Sequence, residues 1–115
     1  SKASKEHSEV QGVNLMRVYE QLKTCYDPEI PVNIVELGLI YDVNYYLLIN
    51  GRNLLRITMT LTAAGCGMGN ILAEEVRDRC LAVANVDEVE VRIVFDPPWS
   101  YDMISDAAKL QLGLL

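Results

Sequence analysis

Apolar residues recur along the chain with two periods, and the switches between them mark the elements. Leu15, Val18, Tyr19 and Leu22 follow at three- and four-residue steps, which predicts a helix over residues 9–24. Ser8 and Gln11 are placed to form a capping box at its start. Asp27-Pro28-Glu29-Ile30-Pro31 ends that pattern, because proline disfavours helix in the residue before it. Residues 39–49 are rich in Ile, Val, Tyr and Leu and predict a strand. Asn50-Gly51 follows, a hairpin signal that predicts a type I′ turn with positive φ at both residues. The returning strand alternates: Leu55, Ile57, Met59 and Leu61 on one face, Arg56, Thr58, Thr60 and Thr62 on the other.

After a glycine-rich stretch over residues 63–70 the period lengthens again. Leu72, Val76, Cys80 and Val83 form one stripe of a helix over residues 68–83. A third strand over residues 86–95 alternates Val89, Val91, Ile93 and Phe95 with Glu88, Glu90 and Arg92. Asp96-Pro97-Pro98-Trp99 stops it, and Ser100 or Asp102 is placed to cap a last helix reaching Leu112 before Gly113. The order α-β-β-α-β-α, with a β-α-β crossover, predicts an α/β (α+β) fold. It is a two-layer domain whose three-stranded mixed sheet carries helices on one face. Residues 1–8 read as a disordered tail and residues 9–115 as a single domain.

Composition narrows the function. The chain has 115 residues and a net charge of −6. It therefore lacks the basic face with which a nucleic-acid binder displaces counterions. No apolar run approaches the length of a membrane span and no signal-peptide pattern is visible. The three cysteines are odd in number and widely spaced, so a disulfide framework is not expected and a reducing cytoplasm is the natural compartment.

Three segments are too irregular to be explained by packing alone: residues 27–36, 60–70 and 96–100. In the second, Cys66 lies between a strand and a helix start. There, unpaired N–H groups and the helix dipole favour a thiolate. Gly65 and Gly67 leave its sulfur uncrowded. Cys80 belongs to an apolar stripe and Cys25 to a helix end, so both read as structural. The glycines match neither a P-loop nor a dinucleotide fingerprint. The only histidine, His7, lies in the tail, which disfavours a Cys–His dyad. No C-x-x-C pair supports a zinc site, so any metal at Cys66 would borrow ligands from elsewhere. Asp27 and Glu29, two apart, would share a face in extended chain and could orient Cys66. Trp99 is a candidate anchor for a partner, or alternatively a lid over the core edge.

Asp27-Pro-Glu-Ile-Pro-Val-Asn-Ile-Val-Glu-Leu-Gly-Leu-Ile-Tyr41, Thr60-Leu-Thr-Ala-Ala-Gly-Cys-Gly-Met-Gly69 and Phe95-Asp-Pro-Pro-Trp-Ser100 together resemble the SufT and PaaD-like family of iron–sulfur assembly domains. The resemblance spans about residues 10–115, and the ending Lys109-Leu-Gln-Leu-Gly-Leu-Leu115 looks closest to the SufT branch. It implies a compact domain, often dimeric, that helps mature clusters on client proteins. It gives Cys66 the central role and places Asp27, Glu29, Thr60 and Thr62 in one pocket around it. Many members carry Gly-Cys-Pro where this chain has Gly65-Cys66-Gly67. The expectation is therefore a non-enzymatic accessory factor whose Cys66 contacts iron, a cluster or a client. No tightly bound cofactor is expected, at most a transient cluster or iron. Its expected partners are the assembly machinery, client apoproteins and a second copy of itself. A thiol-dependent hydrolase or transferase with Cys66 as nucleophile, and a pure interaction adaptor, are the alternatives.

Overall fold

The computed structural model describes residues 12–63 and 69–115. Within them the elements are α1 (Leu15–Leu22), β1 (Ile40–Leu47), β2 (Asn53–Met59), α2 (Gly69–Leu81), β3 (Glu88–Ile93), a 3-10 turn (Tyr101–Met103) and α3 (Asp106–Leu112). The sheet order is β1-β2-β3, with β1 antiparallel and β3 parallel to β2. This is the α+β architecture and mixed sheet that the pattern predicts.

Register divides the sheet into two faces. Val43, Ile57 and Val91 align across the strands, as do Tyr45, Leu55 and Val89, and Ile40, Met59 and Ile93. Leu55, Ile57 and Met59 are wholly buried. Each such side chain contributes roughly 1.5–3 kcal/mol relative to exposure. Val18 and Leu22 of α1, Leu72, Val76 and Cys80 of α2, and Ala108 of α3 join the same cluster, so the helices cover that face. On the other face Tyr46, Leu54 and Glu88 align, then Asn44, Arg56 and Glu90, then Asp42, Thr58 and Arg92. There Arg56 bonds Glu90 at 2.6 Å and lies 5.1 Å from the Tyr46 ring.

Local chemistry moves several boundaries. The expected start at residue 9 lies outside the described residues; within them α1 begins at Leu15, because Asn14 is extended and its side chain accepts from the Met16 N–H. The expected capping box at Ser8 and Gln11, like the expected tail, lies outside the described residues. The hairpin turns at Asn50-Gly51, but with another geometry than type I′. Gly51 has φ +84°, whereas Asn50 is not among the positive-φ residues. The Leu48 carbonyl accepts from the Gly51 N–H and the Leu48 N–H donates to Arg52, giving a three-residue loop with glycine at its left-handed position. The last helix is capped by Ser105, not by Ser100 or Asp102. Ser105 Oγ accepts from Ala108 N–H, and Gly113 closes the other end at φ 77°. The residues between Ser100 and Ser105 are occupied by the separate 3-10 turn.

Candidate functional site

Strand β2 delivers Thr60, Leu61 and Thr62 to one end of the sheet, and α2 starts there at Gly69. Gly69 packs closely on the strand: a Cβ on it would come within 2.8 Å of Leu61 Cδ1, the mobile end of a side chain that would have to shift to make room. Between them lie residues 64–68, so Gly65, Cys66 and Gly67 fall outside the described residues.

Asp27 is buried beside this strand end, at 7% exposure. Its Oδ2 accepts from the backbone N–H groups of Glu29 and Ile30, both at 2.9 Å. Its Oδ1 accepts from Thr62 Oγ1 at 3.2 Å. Asp27 thus does two things: it folds its own loop into an Asx turn and ties that loop to Thr62. The turn also separates the two acids. Asp27 points inward and Glu29 is exposed, so they do not share a face as they would in extended chain. Thr60 is wholly buried, and its hydroxyl has no hydrogen-bond partner among the described residues. Such a group costs free energy unless something meets it.

The remaining irregular segment, residues 96–100, packs just beyond the first. Asn33 repeats the device of Asp27, its Oδ1 accepting from the Val35 and Glu36 N–H groups at 3.0 Å each. Glu36 accepts from Ser105 Oγ at 2.6 Å, and the Glu36 carbonyl accepts from the Ser105 N–H at 2.8 Å. Trp99 is half-buried against the core, its indole N–H donates to the Leu37 carbonyl at 2.6 Å, and its ring meets Tyr101 edge-on at 5.4 Å. Tyr41, the residue bulged out of the β1 register, donates its hydroxyl to the Pro97 carbonyl at 2.7 Å. Asn33 and Tyr41 escaped the sequence reading. Asn33 carried a usable signal, a short amide ahead of two free backbone N–H groups. Tyr41 carried none, because a bulge is a property of the pairing.

The thiols divide sharply. Cys25 and Cys80 are wholly buried. Burial, reinforced by Glu75, pushes the Cys25 thiol up to about 11. Burial, with Cys25 nearby, pushes Cys80 up to about 12. Both are held protonated, in the form that neither binds metal nor attacks an electrophile. No group of three or more His, Cys, Asp or Glu that could hold a metal ion occurs among the described residues. No helix among them is long and apolar enough to cross a membrane.

Comparison with known proteins agrees with this layout. The chain is 42% identical over 101 residues to the Fe-S protein maturation auxiliary factor YitW of Bacillus subtilis, covering 88% of this chain and 92% of that protein. It is 39% identical over 88 residues to the Fe-S protein maturation auxiliary factor SufT of Staphylococcus aureus, covering 76% of this chain and 96% of that one. A crystal structure of a domain of unknown function from Bacillus anthracis superposes with a TM-score of 0.71 at 39% identity, covering 87% of this chain and 92% of that one. The sequence profile of the iron–sulfur cluster assembly proteins matches residues 16–93, both sides of the Asp27–Thr62 junction included, and this chain belongs to that family.

Proposed function

We propose that this chain is a non-enzymatic accessory factor in iron–sulfur cluster assembly, or in maturation of client iron–sulfur proteins, and that Cys66 is the thiol through which it contacts iron, a cluster or a client. The observation that carries this reading is the sequestration of the other two thiols: Cys25 and Cys80 have no exposed surface and are held protonated. That leaves Cys66 to supply the thiolate that iron prefers. Family membership and the names of the relatives support the assignment to cluster maturation. The junction of Asp27 with Thr62 supports a pocket at this end of the sheet, because it fixes the strand end four residues before Cys66. Thr60 supports it too, as a buried hydroxyl with no hydrogen-bond partner among the described residues. Iron or cluster is cargo, held in passing with ligands shared by a client or assembly protein. The chain works as a homodimer in the cytoplasm.

Anaerobic addition of iron and sulfide tests the direct form of this reading. The wild type is expected to develop the visible absorption of a cluster, and Cys66→Ser to lose it. Equal colour in both proteins would remove Cys66 from the role. An anaerobic pull-down is expected to recover assembly proteins or client apoproteins with the wild type and to lose them with Cys66→Ser. Capture unchanged by that substitution, with no colour in either protein, would favour a pure adaptor.

A further inference from the structure

The two edges of the sheet are unlike. β3 presents alternating charges, Glu88, Glu90 and Arg92, and its two acids are already paired with Arg52 at 3.0 Å and Arg56 at 2.6 Å. Charges along an edge are a usual guard against pairing with another chain. β1 carries a single charge, Asp42, near its start. From Asp42 to Leu47 it reads Asp-Val-Asn-Tyr-Tyr-Leu, without Lys, Arg or Pro. Its Tyr45, Tyr46 and Leu47 are 40%, 42% and 70% exposed. The one irregularity, the bulge at Tyr41, lies at its start and leaves residues 42–47 in regular register.

We propose that the β1 edge is the docking surface for a second copy of this chain, pairing antiparallel with β1 of that copy about a two-fold axis at Asn44. This rests on, and carries further, the homodimer stated above. Self-pairing about an axis normal to the sheet keeps each side chain on its own face, so the axis falls on a residue. Asn44 and Tyr45 are the residues that centre the regular stretch. With the axis at Asn44, Asp42 stands opposite Tyr46 of the second copy. There the guanidinium of Arg56, whose Nε already bonds Glu90, lies 5.1 Å from the Tyr46 ring, and the Asp42 carboxylate would approach it from across the seam. The two-fold makes this contact twice. On the covered face, Val43 then meets Tyr45 of the second copy, so the row Val43–Ile57–Val91 continues into the second copy's Tyr45–Leu55–Val89 and the two cores adjoin. With the axis at Tyr45, Asp42 would face Leu48 and keep only the bond it accepts from Asn44 Nδ2 at 2.7 Å, with no cation across the seam. The product is one continuous six-stranded sheet, in which both exposed β1 edges are satisfied and the charged β3 edges remain outermost.

Cysteine placement reads the register. Directly opposed residues of antiparallel strands have Cα atoms roughly 4.5–5.5 Å apart, within disulfide reach. In a Cys66→Ser background, Asn44→Cys is expected to oxidise to a covalent dimer, and Tyr45→Cys to do so at least tenfold more slowly. Sedimentation equilibrium of the wild-type chain is expected to give twice its 12.9 kDa mass at micromolar concentration. Leu47→Lys, at a side chain already 70% exposed in the single chain, is expected to raise the dimer Kd at least tenfold with an unchanged circular dichroism spectrum. Preferential cross-linking at Tyr45→Cys would overturn the register. A wild-type dimer that neither Leu47→Lys weakens nor Asn44→Cys cross-links would overturn this surface and leave the homodimer standing. A wild-type monomer would overturn both, whatever the iron and sulfide experiment shows about Cys66.

Discussion

At the scale of single residues, Asp27 holds the most together. One carboxylate accepts two backbone N–H groups and one hydroxyl, and little water reaches it. Asp27→Ala would strand all three donors, at about 1–3 kcal/mol for each one left without a partner. We expect a net loss of about 2–4 kcal/mol in urea unfolding, some of it recovered in Asp27→Asn, which keeps one acceptor oxygen. A loss under 1 kcal/mol would show that water replaces the carboxylate easily. Thr60 should behave in the opposite way. Its buried hydroxyl has no partner among the described residues, and valine has nearly its shape. Thr60→Val is therefore expected to stabilise the fold by about 1 kcal/mol. It is also expected to lower cluster formation from iron and sulfide, the pattern of a polar group kept for function rather than stability. A destabilised Thr60→Val would mean that the hydroxyl is already satisfied within the folded chain. The identity of these residues was legible in the sequence as irregular motif, but their geometry was not. Extended-chain spacing put Asp27 and Glu29 on one face. The turn that separates them is created by hydrogen bonds from the Glu29 and Ile30 N–H groups to Asp27 itself, a local competition that periodicity does not register.

Among the elements, legibility followed burial. β2 alternates apolar and polar residues because one face is wholly covered, and α2 shows its stripe of Leu72, Val76 and Cys80 for the same reason. Boundaries were harder, because they are decided by single side chains. Asn14 captures the Met16 N–H and starts α1, and Ser105 captures the Ala108 N–H and displaces the expected cap of α3. Both are ordinary cap residues, but several Ser, Asp and Asn lie near each helix start, and tertiary contacts choose among them. Ser105 wins because Glu36 holds both its hydroxyl and its backbone N–H. How loop meets loop was not legible at all, and Gly38 shows why. It has φ +78°, and a Cβ there would lie 2.3 Å from the Met103 carbonyl oxygen, across a contact between residues far apart in sequence. Backbone oxygen cannot move aside as a flexible side chain can. Gly38→Ala is thus expected to combine left-handed strain with a steric clash and to cost about 2–4 kcal/mol, read as a lowered urea midpoint. Gly51→Ala is the matched control. Its φ is +84° but nothing lies within 4 Å, so only the strain of about 1–2 kcal/mol should appear.

For the whole molecule, the buried thiols turn global stability into a chemical readout. Cys25 and Cys80 sit in the core among residues of α1, α2 and β2, so exposing either requires that core to open. Alkylation of the native, reduced protein near pH 8 is expected to label Cys66 first. Cys25 and Cys80 should follow together, at a rate that rises with added urea and tracks the unfolding free energy. Labelling of Cys25 or Cys80 ahead of Cys66 would remove the physical basis for the role proposed for Cys66. The same burial fixes a pH dependence. Folding raises both thiols from an ordinary value of 9.0, to about 11 for Cys25 and about 12 for Cys80. Below pH 9 both states keep the protons, and the contribution of the buried thiols to stability is whole. Above it the unfolded chain ionises while the folded chain does not, so the unfolded state binds fewer protons and stability falls with rising pH. The loss is expected to begin near pH 9 and to end only once the folded thiols also ionise, near pH 11 and 12. Cys25→Ala and Cys80→Ala should each flatten this alkaline slope, at the cost of a smaller core, whereas Cys66→Ser should leave the slope between pH 9 and 11 unchanged. An alkaline slope identical in the wild type and in both alanine variants would show that these two thiols are not what the high-pH transition reads.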